Sequence, residues 1–247
     1  MEIRGLLFDL GGTLFSYQRR GGMGRALQEV VSGLGLEVEP REIGRAWGEA
    51  NEASMRRFAE QDYFLHRDLF HETLLAFATR FGRPVSDDLA ERFQAAQRQS
   101  VIDHLPLRAE CHEALEALKS RGLYLAIVSN IDDDYLHPLV EKHELDRWLD
   151  HWTSSEEARS CKPHTGIYRY ALSKAGLGVE ETLFVGDSLH HDVAGASAVG
   201  MRSARIVEEG VSTPLTGGLA VTAEPDYQIT ALTELVDIVD AVNERDG

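Results

Sequence analysis

Ile3-Arg4-Gly5-Leu6-Leu7-Phe8-Asp9-Leu10-Gly11-Gly12-Thr13-Leu14-Phe15 is the stretch on which the reading of this chain turns. An apolar run of strand length, Leu6 to Phe8, ends in a carboxylate and then in paired glycines. A short apolar run closed by glycine reads as a buried parallel strand. Asp9 then stands at the carboxyl end of that strand, where open α/β sheets place their ligands. The glycines permit positive φ and close backbone approach to a bound group. Thr13 offers a hydroxyl just beyond. An ordinary strand followed by an Asp–Gly turn accounts for the stretch equally well by itself. The remainder of the chain decides between the two.

Outward from Phe15 the pattern changes to helix. From about Tyr17 to His104 only helical spacing appears, beginning with Leu27, Val30, Val31 and Leu34, which Gly33 and Gly35 stop. A second segment starts near Pro40 and carries Trp47, Met55 and Phe58. A third, through Leu65, Leu69, Leu74, Leu75 and Phe77, closes at Phe81-Gly82-Arg83-Pro84, and Ser86 caps a fourth with Leu89 and Phe93. About ninety residues of helix thus follow one strand before the next appears, which predicts a helical insertion over that strand's end.

An α/β rhythm then resumes. Arg108 to Arg121 is an amphipathic helix ended by Gly122, followed by a buried strand Leu123–Val128 running into Ser129-Asn130. Asp132, Asp133 and Asp134 fit a helix start, where the macrodipole favours acids. A short strand near His151-Trp152-Thr153, a helix from Thr165 to Ala175 after Lys162-Pro163, and a strand Thr182–Val185 ending in Gly186-Asp187-Ser188 come next. His190–Val199 reads as a short helix closed by Gly200, and Arg202–Val207 as a strand. A loop over Glu208–Glu224, a short strand Tyr227–Ile229 and a final helix complete the chain. Alternating strands and helices predict a doubly wound parallel α/β sheet of Rossmann type, residues 1–15 and 105–247, with a helical cap over 16–104.

Composition narrows the function classes. The 247 residues carry a net charge of −16, which disfavours a nucleic-acid partner, because phosphate backbones are bound by clustered Lys and Arg. Cys111 and Cys161 are too few for a disulfide framework, no secretory leader is apparent, and no apolar run is long enough to span a bilayer. A cytoplasmic protein without a membrane partner is expected, as a monomer or homodimer.

The polar strand ends carry the chemistry. In a parallel sheet Asp9, Ser129-Asn130 and Gly186-Asp187 converge on one edge, and Lys162 lies in a loop that can reach it. Carboxylates with backbone carbonyls suit Mg²⁺, which takes oxygen ligands and keeps waters for a substrate phosphate. Lys162 and the hydroxyls suit the remaining charge of a phosphoryl group.

Phe8-Asp9-x-x-x-Thr13, Ser129-Asn130, Lys162-Pro163 and Gly186-Asp187-Ser188-x-x-x-Asp192 together resemble the four ordered motifs of the haloacid-dehalogenase-like hydrolases. The resemblance covers nearly the whole chain, with a helical cap inserted after the first motif. It implies that Asp9 is the nucleophile, forming a covalent aspartyl intermediate that water then hydrolyses. It implies that Thr13 and Ser129 orient the phosphoryl group or Asp9, and that Asn130, with Gly12, helps to bind a small phosphorylated substrate. Lys162 would neutralise Asp9 and the transferred group, Asp9, Asp187 and the Gly11 carbonyl would hold Mg²⁺, and Asp192 would support the site.

One departure from that pattern matters. Family phosphatases usually carry a second Asp two residues after the nucleophile, as general acid and base, and here that position is Gly11. General acid–base catalysis is typically worth ~10²–10⁴-fold, so alkyl phosphomonoesters should be slowed by about that much unless another group replaces it. Acyl and aryl phosphates, or halide, leave without a proton. A 2-haloacid dehalogenase is therefore one alternative, supported by the spacing of Lys162 and Tyr168 but opposed by Asp187, and a non-catalytic phosphate-binding protein is another. Asp9-Leu10-Gly11-Gly12-Thr13 also matches the phosphate loop of actin-like sugar kinases, yet helices follow here where those continue into a hairpin. Tyr168 reads as helix packing, His190-His191 and Cys161 as bystanders. Arg19 and Arg20 at the hinge, then Arg56, Arg57, His66 and Arg67, are the candidates for reading an anionic substrate.

Overall fold

A computed structural model describes residues 2–18, 24–210 and 222–245. Arg19 and Arg20, and most of the Glu208–Glu224 loop, lie outside the described residues. The chain divides into two compact units, residues 1–18 with 106–247 and residues 19–105.

The first unit is built on six parallel strands: β1 (Gly5–Phe8), β2 (Tyr124–Ser129), β3 (His151–Ser154), β4 (Thr182–Gly186), β5 (Arg202–Ile206) and β6 (Tyr227–Ile229). Their order is β3-β2-β1-β4-β5-β6, a doubly wound sheet whose winding reverses at β1. Phe8 pairs with Ile127 on one side and Val185 on the other. The next position, Asp9, therefore comes level with Val128 and Gly186, one residue short of Ser129 and Asp187. Register alone brings these side chains to one edge.

The strands are apolar on both faces, so both faces must be covered. Leu7, Ala126, Val128 and Phe184 pack against Ile167, Tyr168, Ala171, Leu172 and Ala196 of two helices. The alternate residues Leu6, Phe8, Leu125, Ile127, Leu183 and Val185 point the other way and are just as buried.

The second unit contains α1 (Arg25–Gly33), α2 (Pro40–Phe58), α3 (His66–Arg80) and α4 (Asp87–His104). Pro40 occupies the first turn of α2, where its missing N–H costs nothing, and the Ser86 hydroxyl accepts the Leu89 N–H to cap α4. Val30, Ile43, Ala46, Leu74, Phe77, Leu89 and Phe93 form its core. Trp47 presents its ring edge-on to Phe77 and Phe93, with centroids 5.3 and 5.5 Å away.

The remaining helices belong to the first unit: α5 (Cys111–Lys119), α6 (Asp133–Lys142), α7 (Ser155–Ala158), α8 (Thr165–Ala175), α9 (Gly195–Val199) and α10 (Glu234–Arg245). Two boundaries depart from the sequence pattern. The helix expected from Arg108 begins at Cys111, because the Arg108 backbone N–H bonds Leu14 and its guanidinium is drawn to the β1 loop. The helix expected over His190–Val199 is a wide π-type turn, Leu189–Ala194, that passes into α9. Asp192 lies on that turn, and such widened turns recur at functional sites.

Candidate active site

The loop after β1 folds back on itself. Gly12 N–H donates to Phe15 O, Phe15 N–H donates to Leu10 O, and the Gly11 carbonyl between them accepts no hydrogen bond among the described residues. Gly12 sits at φ +81, where a side chain is strained, and a Cβ there would stand 2.9 Å from Asp187 Oδ1. The loop and the end of β4 can meet only because residue 12 has no side chain.

Arg108 fixes this loop from below. Its guanidinium donates to Gly12 O at 2.9 Å and pairs with Glu208 at 3.2 Å, and Ser16 Oγ donates to the same carboxylate at 2.7 Å. Arg108, Ser16 and Glu208 carry no sequence signal, since the partners are about a hundred or more residues apart.

Asp9 lies at the centre. Its Oδ1 accepts from Ser129 Oγ at 2.7 Å and from Lys162 Nζ at 2.7 Å. Its Oδ2 carries no hydrogen bond among the described residues. Lys162 Nζ also bonds Asp192 Oδ1 at 2.7 Å and lies 5.3 Å from the Phe184 ring centre. Burial alone would lower the lysine's pKa, but the charges of Asp192 and Asp9 outweigh it and the value is raised. Burial pushes the Asp192 carboxyl up to about 6 against the pull of Lys162. Asp192 Oδ2 also accepts the Ser188 N–H at 2.9 Å.

Asn130 clamps the Lys162 loop. Its Nδ2 donates to Lys162 O at 2.9 Å and its Oδ1 accepts the Lys162 N–H at 2.6 Å. The carboxamide expected to position substrate is thus committed at both ends to the main chain that carries the lysine. Arg205 Nε donates to Asp187 O at 3.1 Å. Thr13 is fully buried, and its Oγ1 has no partner among the described residues. A buried hydroxyl without a partner costs free energy unless a ligand completes it.

Carboxylate oxygens of Asp9, Asp187 and Asp192 lie within 4.8 Å of one another, the one such group among the described residues. This oxygen-only donor set fits a hard divalent cation. Both Asp192 oxygens are engaged by Lys162 and Ser188, and Asp9, Asp187 and the Gly11 carbonyl would hold such an ion.

Other expectations resolve simply. Tyr168 is buried in packing, edge-on to Phe184 at 5.0 Å, and its hydroxyl donates to His191 O. Neither His190 nor His191 joins the carboxylate group. Cys161 and Cys111 are both buried free thiols, and burial pushes the Cys111 thiol up to about 12. In the helical unit Arg56 and Arg57 pair with Glu52 and Glu72, and His66 is buried. No described helix is long and apolar enough to cross a membrane.

Comparison with known proteins gives concordant likenesses. A family model described as haloacid dehalogenase-like hydrolase matches residues 3–200. A ribulose-1,5-bisphosphate 5-phosphatase of Halopiger xanaduensis is 28% identical over 238 residues, 95% of this chain and 98% of the other. An (S)-2-haloacid dehalogenase 4A of Burkholderia cepacia is 28% identical over 210 residues, 85% of each chain. The crystal structure of a HAD-hydrolase from Bacillus subtilis bound to magnesium superposes with a TM-score of 0.74 at 19% identity, covering 97% of this chain and 100% of that one. The last likeness speaks to the fold alone.

Proposed function

We propose, from the premise that this chain belongs to the haloacid dehalogenase-like hydrolases, that it is a Mg²⁺-dependent phosphatase acting on a small phosphorylated metabolite through Asp9. The observation that carries this reading is the state of Asp9. One carboxylate oxygen is held by Ser129 and Lys162, the other carries no hydrogen bond among the described residues, and a carboxylate oxygen of Asp187 lies within 4.8 Å of one of Asp9. A nucleophile needs one oxygen fixed and one exposed to the electrophile. A transferring phosphoryl group needs donors and positive charge around its oxygens.

In this reading Asp9 Oδ2 attacks phosphorus, and the bond to the leaving group breaks. Lys162 holds Asp9 in place and lowers the negative charge the incoming group meets. The Thr13 hydroxyl donates to a phosphoryl oxygen and so gains the partner it lacks. Asp192, Asn130 and Arg108 position Lys162 and the loop. Water then attacks phosphorus and returns the Asp9 carboxylate. Asp9, Asp187 and the Gly11 carbonyl would hold a divalent cation, which would supply charge neutralisation for the phosphate. The Halopiger relative's activity on a sugar bisphosphate supports the phosphatase reading and leaves open which metabolite is used here.

The Burkholderia relative supports a second reading, displacement of halide from a 2-haloacid by the same Asp9. Halide leaves without a proton, which suits Gly11, but that chemistry gives Asp187 no task. Phosphate release from acetyl phosphate, with and without Mg²⁺ and with Asp9→Asn as the blank, tests the choice. Metal-dependent release abolished in Asp9→Asn is expected. Chloride release from 2-chloropropionate, with no phosphate from any ester, would contradict the phosphatase reading.

A further inference from the structure

Gly11 is not a glycine for conformational reasons. Its φ is outside the left-handed region, so the backbone would accept a side chain. What opposes one is Tyr17. A Cβ at position 11 would stand 2.8 Å from Tyr17 Cζ and closer still to the phenol oxygen. The ring returns along the loop and puts its hydroxyl in the space a side chain at 11 would fill. Gly11 lies in the chain between Asp9 and Gly12, the residue whose missing side chain lets the loop abut Asp187.

The neighbouring donors cannot readily spare a proton. Ser129 Oγ–H is given to Asp9, and the Lys162 ammonium is shared between the Asp9 and Asp192 carboxylates. The Thr13 hydroxyl is an aliphatic alcohol, no stronger an acid than the alcohol an alkyl phosphate must release. A phenol is a far stronger acid.

We propose that Tyr17 is the proton donor to the leaving-group oxygen, its hydroxyl replacing the side chain that Gly11 lacks. The proposal rests on the phosphatase reading above. As Asp9 Oδ2 bonds to phosphorus, the phosphorus–oxygen bond to the leaving group breaks and that oxygen takes the Tyr17 proton, leaving a phenolate. Water then attacks phosphorus, its proton passes to the phenolate, and the bond from phosphorus to Asp9 breaks. Tyr17 and Asp9 are restored, and alcohol and inorganic phosphate are released.

The test compares leaving groups in Mg²⁺-supplemented full-length enzyme: acetyl phosphate, an aryl phosphate and an alkyl phosphomonoester. Tyr17→Phe keeps the ring and removes only the hydroxyl. The expected result is a fall of ~10²-fold or more in kcat/KM for the alkyl ester, with acetyl phosphate nearly unchanged. Tyr17→Ala combined with Gly11→Asp puts a carboxylate into the vacated space and should recover alkyl-ester turnover relative to Tyr17→Ala alone. An equal change on all three substrates, or none on any, would overturn the role of Tyr17. So would wild-type enzyme that hydrolyses acetyl phosphate and no alkyl ester, although the phosphatase reading would stand. No release from any phosphate, abolished activity aside in the Asp9→Asn blank, would overturn both.

Discussion

The two edges of the sheet use charge in opposite ways. At the carboxyl edge Asp9, Lys162, Asp187 and Asp192 are all buried. At the amino edge Arg4 pairs with Glu181 at 2.6 Å and Arg121 with Asp240 at 2.8 Å, with the arginines in solvent. The half-buried His151 of that edge has its pKa pushed down to about 4, by burial first and then by Lys174. Ion pairs in solvent gain little, whereas a buried charge is tolerated only while its partners stay in place. The same strands therefore end in a dispensable fringe at one side and an interdependent cluster at the other.

Lys162→Met should have the largest effect. It leaves Asp9 and Asp192 buried without their shared cation, and should cost about 3–5 kcal/mol in urea unfolding along with all turnover. A variant as stable as the wild type would show that the cluster is not interdependent.

Thr13→Val should separate stability from function. Removing an unpartnered buried hydroxyl should raise stability by about 1 kcal/mol. Loss of a donor to the transferring group should lower kcat by ~10²-fold or more. A loss of both together would mean that the hydroxyl is already satisfied in the folded protein.

At the other edge the expected effects are smaller. His151 has a folded pKa of about 4, below the unfolded value near 6.5, so the unfolded chain takes up its proton first as pH falls. Its contribution is complete above about pH 6.5 and is lost progressively toward pH 4. His151→Gln should flatten the stability–pH curve across that window, and an unchanged slope would refute the assignment. Arg121→Ala should leave the melting temperature and phosphate release unchanged, since the guanidinium it removes is solvated.

How much of this was legible in the sequence follows the same division. Asp9, Ser129 and Asp187 could be read because each ends an apolar run of strand length, and a parallel register must gather such ends. The doubly wound sheet followed from that alternation, and the helical insertion from the absence of strand patterning between Tyr17 and His104. Arg108 could not be read as a loop anchor, because its partners Gly12 and Glu208 are 96 and 100 residues away, and helical periodicity absorbed it. Asn130 pointed to a ligand by type, yet bonds the Lys162 backbone, a choice only tertiary geometry makes. Tyr17 escaped notice for a similar reason. A glycine announces a missing side chain, and nothing local says which neighbour fills the space.

If Asp9 is the nucleophile, it carries the phosphoryl group during turnover. Enzyme mixed with acetyl phosphate and Mg²⁺, quenched in acid within a few turnovers and digested, can be read by mass spectrometry at the peptide that contains Asp9. A phosphoryl adduct on Asp9 that decays as inorganic phosphate appears, and is absent from Asp9→Asn, is expected. Steady phosphate release that survives in Asp9→Asn, or an adduct on any other residue, would contradict it.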